Sequence, residues 1–551
     1  MDTFFSILKV IGIILEVVLI FNLLIFVHEL GHFLAAKWRG LYVEEFALWF
    51  GKPLWKKKIG GVTYAINCIP AGGYVKLPQM APMESLEGKS EDLPPEARKP
   101  ISALDKIIVA FAGPLFSFLL ACVFAVIVWQ IGRPMAERES SVVIGEVQKG
   151  SPAAEAGLLP GDEIVAVDDI RVNRFMGQGK DAILWRVVRS EGETVKFTVR
   201  RNGKEMDFNP APRIPGTKFY ERKGTRTVGI IPSVTPLIGK VEEGSPAAVA
   251  GLKKGDFITH VNGVQLYSEM GISEFVRDNP GVPTVLSVER GGKTIEVPFK
   301  LGLPKVSANG VVKDSPAEKA GLRGGDVIVS MDGKASGSTS SLMQYIGSRK
   351  DAAIDFVVRR GGGEEKLTIK PAFHADAQRF MVGAAFEDED GITFDIYGRG
   401  RTVHPGPLEQ IEISVGAIVN TIEAVASSKS DIKLQHMGGP VMMMNVYYRL
   451  FEQDDGWKLA LWFSVLLNVN LALLNMLPLP VLDGGHITLA IVEALRRKPV
   501  NLRLLEWVQT ACAMLIIGFM LYVTFYDTQD LFGGKDRNKF HYGTPPAENA
   551  K

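Results

Sequence analysis

The sequence predicts a polytopic α-helical membrane protein of about four transmembrane helices, with a membrane-associated β-hairpin and three inserted extracytoplasmic α+β domains. Three observations predict it: apolar runs of bilayer-crossing length towards both ends, a long polar region between them, and one signature that recurs three times in that region. The 551 residues suffice for several domains, and the 46% hydrophobic average is an average over two kinds of protein. A net charge of +1, with neither a basic stripe nor an aromatic-basic alternation, gives no support to a nucleic-acid partner. Cysteine occurs only at 68, 122 and 512, which offers no disulfide framework or CxxC metal knuckle.

From Phe4 to Ala36 the chain is nearly all apolar. At 1.5 Å per residue this run is roughly 50 Å long, against a bilayer core of about 30 Å, so part of it must protrude. It lacks the basic start, short core and small-residue cleavage site of a secretory signal and reads as a retained helix. Further apolar spans run over 107–131, 459–477 and 508–525. Lys37, Arg39, Lys52, Lys56, Lys57, Lys58, Lys76, Arg98 and Lys99 crowd the connection after the first span, and Arg496, Arg497, Lys498 and Arg503 the one after the third. The positive-inside tendency puts both connections in the cytoplasm and the termini and central region outside. The segments expected are a first helix (1–36), a hairpin region (37–103), a second helix (104–132), repeats at 140–214, 228–302 and 303–373, and a linker at 374–457. A third helix with its loop (458–506), a fourth helix (507–526) and a polar, mobile tail (527–551) follow. Within the linker, 411–426 is amphipathic and is expected on the outer membrane surface.

The repeat reads Gly150-Ser-Pro-Ala-Ala-Glu-Ala-Gly-Leu-Leu-Pro-Gly161-Asp162, then Gly244 to Asp256, then Asp314 to Asp326. Each copy predicts a Ser-Pro helix start, a Gly stop, a Gly-Asp turn and a strand, at 163–167, 257–261 and 327–331. These copies resemble PDZ domains of the bacterial protease type, which implies a sheet edge beside a helix where an extended peptide can add as a strand. A spacer or size filter is the equally weighted plain reading. Gly161 and Gly255 are 94 residues apart and Gly255 and Gly325 only 70, which predicts an insertion in the first copy at 210–227.

Within the first span stands His28-Glu29-Leu30-Gly31-His32. Histidines four apart project from one helix face and can grip one metal ion, while Glu29 beside them can take a proton from water. Such groups are costly in lipid, so a cluster there points to function. Catalytic zinc sites usually take a third protein ligand. The metzincin pattern fails, because Ala35 and Trp38 stand where its glycine and histidine belong. Glu44 and Glu45 lie among basic residues beyond the span, where solvated ion pairs are the plainer role. Asp483 is the better candidate: it follows Asn475-Met-Leu-Pro478-Leu-Pro480-Val-Leu, whose prolines break the helix and free backbone to line a polar cavity. Without the histidine pair, an ordinary turn would be preferred there. Two imidazoles and a carboxylate favour zinc, Zn2+, one ion.

His28 to His32 and Asn475 to Gly485, with the repeats between them, resemble the site-2 protease family of intramembrane zinc metalloproteases, as do Ile69 to Lys76, Phe111 to Pro114 and Gly438 to Val441. The resemblance implies His28, His32 and Asp483 as zinc ligands, Glu29 as general base, and Asn475 as a holder of the substrate backbone or the oxyanion. Val62 to Cys68 with Gly72 to Lys76 reads as a β-hairpin, and the resemblance dips it into the membrane. There Gly72, Gly73, Tyr74 and Val75 would pair with an extended substrate near Pro478 and Pro480; a cytoplasmic hairpin unrelated to substrate is the alternative. His486 is expected outside the ligand set as a support, and His260, His374, His404, His436 and His541 in surface or packing roles. Two departures stand out: three repeats where a pair is expected, and Ser117 where an asparagine is expected.

The function so implied is zinc-dependent intramembrane endoproteolysis of single-pass membrane proteins, of the anti-sigma factor or remnant signal peptide type, after a first cut by another protease. The location implied is the bacterial inner membrane, with the repeats extracytoplasmic and the active site towards the cytoplasm. Besides these substrates and the lipid bilayer, peptide or protein ligands of the repeats are possible partners, and no nucleic acid. The alternatives are a catalytically silent scaffold that recruits partners through its PDZ domains, and a tethered protease of soluble unfolded peptides.

Overall fold

The computed structural model describes residues 2–80, 101–217, 221–279, 282–300, 302–336, 339–374, 379–395, 398–453, 455–497, 500, 502–532 and 542. His541, Arg98, Lys99, Lys498 and most of the expected tail lie outside the described residues. The chain forms two compact units, one of residues 1–134, 219–223 and 402–528, the other of 135–218, 224–401 and 529–551.

The first unit is built on helices α1 (Asp2–Trp38), α2 (Ala103–Ile131), α3 (Pro407–Ala426), α4 (Pro440–Phe451), α5 (Gly456–Asn475), α6 (Asp483–Arg496) and α7 (Leu502–Phe532). Four of them, α1, α2, α5 and α7, are long and apolar enough to cross a membrane. A capping box opens α2: the Ser102 hydroxyl accepts from the Asp105 amide (3.1 Å), and the Asp105 carboxylate accepts in return from the Ser102 amide. Its buried stripe Val109, Gly113, Ser117, Ala121, Ala125, Val128 is spaced by one helical turn and faces its neighbours.

The third span ends at Asn475, two residues earlier than expected, and LDGG opens a separate helix, α6. Pro478 and Pro480 cannot continue α5. The turn between the helices is so tight that a Cβ on Gly484 would lie 2.3 Å from the Met476 carbonyl oxygen, and one on Gly485 2.0 Å from that of Leu479. Both glycines are therefore required by close backbone approach.

Helix α3, the amphipathic stretch of the expected linker, packs its apolar face on α2 and α5. Ile411, Val415 and Ile418 meet Ala121, Phe124 and Ala125 of α2 and Val465 and Val469 of α5. Its inward face carries small or hydrogen-bonded residues, Ser414, Ala417 and Gln410, whose amide donates to the Ala125 carbonyl (2.9 Å), which lets the helices come close. The expected tail likewise begins inside α7: Asp527 is buried, accepts from the Gly439 and Met442 amides at the start of α4, and pairs with Arg222 at 2.9 Å.

The expected hairpin is a larger sheet of strands β1 (Glu45–Ile59) and β2 (Val62–Lys76). Glu45 to Leu48 lie between two arms of β2, matched to Thr63–Ile66 on one side and Gly73–Lys76 on the other, while Trp55–Ile59 pair with Val62–Ile66. The segment Gly73–Lys76 is thus one edge of the sheet. Phe46 stacks edge-on against Phe26 and Phe33 of α1, and the Trp49 indole donates to Asn22 at 2.5 Å, so the sheet runs alongside the apolar part of α1.

In the second unit each repeat has its own core: Ile164, Phe197 and Val199 in the first, Ile258, Leu286 and Val288 in the second, Ile328, Phe356 and Val358 in the third. The signature is explained atom by atom. Ser151, Ser245 and Ser315 cap short helices that start at a proline. Buried Asp162, Asp256 and Asp326 accept from turn amides and pair with Arg201, Arg290 and Arg360, each at 2.6 Å. Burial would push the Asp326 carboxyl up, but Arg360 and the Arg323 amide hold it below its ordinary range.

The repeats close in a way that shifts the expected boundaries. Strand Ile230–Pro232, expected in the second copy, pairs with Ile144–Val147 and completes the first. Strand Leu237–Val241 of the second copy is completed by Ile392–Asp395, beyond the end of the third. The third copy, from Pro304–Val311 to Ala384–Asp388, is therefore inserted within the second. Its entry and exit touch: a Cβ on Gly302 would lie 1.8 Å from the Glu389 carbonyl oxygen. Among the described residues of 228–302 none supplies the second copy with that edge, and the short spacing of 70 residues reflects a third copy that begins before the second ends.

Candidate metal centre

Helix α1 presents His28 and His32 one turn apart, and α2 lies behind them. His32 Nδ1 is 2.8 Å from the Val109 carbonyl oxygen and His28 Nδ1 is 3.0 Å from Ser117 Oγ. The approach depends on glycine: a Cβ on Gly113 would lie 2.1 Å from His32 Nε2, and one on Gly31 2.4 Å from the Ala112 carbonyl oxygen.

From the far end of the chain, Asp483 stands at the first turn of α6. Its Oδ2 is 3.3 Å from His28 Nε2, its Oδ1 is 3.3 Å from His32 Nε2, and the two Nε2 atoms are 3.4 Å apart. Among the described residues these three form a group able to hold a metal ion. The donor set fits zinc. A tetrahedron with bonds of about 2.0–2.1 Å has edges of about 3.3–3.4 Å, and two imidazole nitrogens and a carboxylate converge at that separation. Asn475, the last residue of α5, places Nδ2 3.4 Å from His28 Nε2.

A cavity of about 340 Å³ opens on this group. Glu29, His28, His32, Asn475, Asp483 and His486 line it with Gly72, Gly73, Tyr74 and Val75 of the sheet edge. Gly73 lies against Glu29, whose Cγ would be 3.0 Å from a Cβ there. The remaining wall is apolar, including Ile25, Phe50, Met80, Leu471 and Val481, residues that motif reading does not single out.

Of the residues expected to touch substrate, Pro478 and Pro480 do not line the cavity; they shape the turn that delivers Asp483, and the Pro480 carbonyl accepts from Gln509 of α7. Glu44 and Glu45 form ion pairs with Lys76 (3.2 Å) and Lys56 (2.9 Å). The roles of Ser117 and of the Val109 carbonyl were not readable from motifs, although the serine in place of an expected asparagine marked the position.

The sequence profile of peptidase family M50 matches residues 16–519. A regulator of sigma-E protease from Salmonella typhimurium is 28% identical over 523 residues, covering 92% of this chain and 96% of its own. The one from Escherichia coli K12 is 28% identical over 524 residues with the same coverage. Among solved structures, the PDZ domain of an SdrC-like protein from Listeria monocytogenes is 28% identical and matches 16% of this chain and 86% of its own, with a TM-score of 0.12. A profile match over nearly the whole length, with relatives alike from end to end, makes this chain a member of peptidase family M50, the site-2 type of metalloprotease.

Proposed function

We propose that this protein cuts single-pass membrane proteins within the bilayer, with His28, His32 and Asp483 holding one zinc ion and Glu29 acting as general base. The observation that carries the reading is the convergence, at 3.3–3.4 Å, of two histidines inside a helix apolar enough to cross a membrane with Asp483 from the far end of the chain. When bound, the ion supplies Lewis acidity towards a water molecule and a peptide carbonyl.

The chain's own residues do the rest. Glu29, on the cavity wall beside the sheet edge, takes the proton from the attacking water and returns it to the leaving amine. Asn475 donates to the oxyanion without adding charge to a site of low polarity. A transmembrane substrate has its amides already paired and must unwind, so replacement hydrogen bonds are needed. The edge Gly73–Val75 offers them, with Gly73 bringing the backbone close to Glu29. The contacts of Phe46 and Trp49 with α1 support a sheet at bilayer depth.

The lysine-rich connections support an active site towards the cytoplasm and repeats outside. The relatives' names support a role in a sigma-E type signalling pathway. The substrate in this reading is a membrane anti-sigma factor or a remnant signal peptide, cut first elsewhere by another protease. Glu29→Gln tests the reading. A reconstituted single-pass substrate should be cut at least about 10²–10⁴-fold more slowly while metal content is unchanged. Equal turnover would reject the base.

A further inference from the structure

We infer that Ser117 is a positioning residue of the metal centre, the acceptor that lets His28 carry its proton on Nδ1 and turn a bare Nε2 towards Asp483. The inference rests on the metal-binding reading above. A neutral imidazole carries one proton, and the partner of one ring nitrogen decides the state of the other.

For His32 the choice is made by backbone. Its Nδ1 faces the Val109 carbonyl, which can only accept, at 2.8 Å, so Nδ1 carries the proton and Nε2 is bare. His28 has two options. With the proton on Nε2 it can accept from the Ser117 hydroxyl at Nδ1 and donate to Asp483 Oδ2 (3.3 Å) or to the bare His32 Nε2 (3.4 Å), a closed set that competes with a cation, but its N–H then faces the Asn475 amide nitrogen, itself a donor, at 3.4 Å. With the proton on Nδ1 it donates to Ser117 Oγ (3.0 Å), and three lone pairs converge.

Ser117 is 0% exposed, so no bulk water substitutes for its hydroxyl. Val109, Gly113 and Ser117 follow one another at four-residue spacing on one face of α2: a carbonyl for one ring, space for it, and a hydroxyl for the other. The side chain, unlike the carbonyl, can be removed.

The test is zinc affinity of the purified full-length protein in lipid nanodiscs, by chelator competition. Ser117→Ala should weaken binding by about 10–100-fold, while Ser117→Thr, which keeps the hydroxyl, stays within about threefold of wild type. Melting of the metal-free forms should be alike. Affinity of Ser117→Ala within about twofold of wild type, or a Ser117→Thr as weak as Ser117→Ala, overturns the inference while leaving the metal site intact. Wild type that binds no zinc overturns the underlying reading and this one with it. Should Ser117→Ala fail to fold, nitrogen NMR of histidine-labelled, metal-free wild type decides: a His28 Nδ1–H signal upholds the role, and an Nε2–H signal rejects it.

Discussion

Gly113 makes the sharpest claim at the residue scale. Its missing side chain is the space that the His32 ring occupies, so Gly113→Ala sets a methyl group against a ligand nitrogen and the ring carbons beside it. We expect that variant to lose zinc, read as metal content of the purified protein, while the repeats stay folded. Asp390 gives a pH signature far from the chemistry. Burial, then Asp388 and Glu387 nearby, push its carboxyl up to about 6. The folded protein thus takes this proton more readily than the unfolded chain does. The stabilisation is fully present below the unfolded value of about 4 and is lost as pH rises through about 6. Hydrogen exchange at the Ala247 amide, which donates to the Asp390 carbonyl, should therefore report a firmer closing strand at pH 5 than at pH 7. Asp390→Asn should flatten that difference. Glu29 and the two histidines were legible because a helix fixes the geometry of i and i+4. Ser117 was not, because its partner is 89 residues away and only the packing of two helices brings them together.

Among elements, the sheet beside α1 carries the most consequence. Its edge strand needs a small residue opposite Glu29, and Gly73→Val fills that gap, since even a Cβ lies 3.0 Å from Glu29 Cγ and 3.1 Å from the Ala47 carbonyl oxygen. Turnover of a membrane substrate should fall at least about 10-fold, with zinc content as in wild type, because an extended strand can no longer lie against the base. A fall in zinc content instead would mean that the edge supports the metal site. The sequence marked this region as strands from its alternation and glycines, yet not as a sheet in which Glu45–Leu48 sits between two arms. Pairing between segments leaves no trace in local pattern. The turn after α5 was legible from its prolines, whereas the reason for Gly484 and Gly485 became visible only with the carbonyls of Met476 and Leu479 against them.

At the scale of the molecule, the repeats show what a signature can and cannot give. Ser-Pro and Gly-Asp marked three copies, but the arginines that neutralise the buried aspartates, 39, 34 and 34 residues further on, escaped notice because they close strands rather than follow the motif. Loss of any one of them leaves a buried carboxylate with only its turn amide, at a cost of about 1–3 kcal/mol to that copy, since the arginine side is partly solvated. Thermal unfolding of Arg360→Leu should show a lower first transition and leave the metal site unaffected. The closing strands differ from expectation for a related reason: a strand that completes a sheet from a distance looks, in sequence, like the start of whatever follows.

The contact between Gly302 and Glu389 means that the third copy behaves as a removable cassette. Excision of residues 303–388 rejoins neighbouring atoms instead of stretching a chain across a gap, and the shortened protein should keep the Ala247 amide protected. Gain or loss of this module therefore needs one cut and no rebuilding of the host domain.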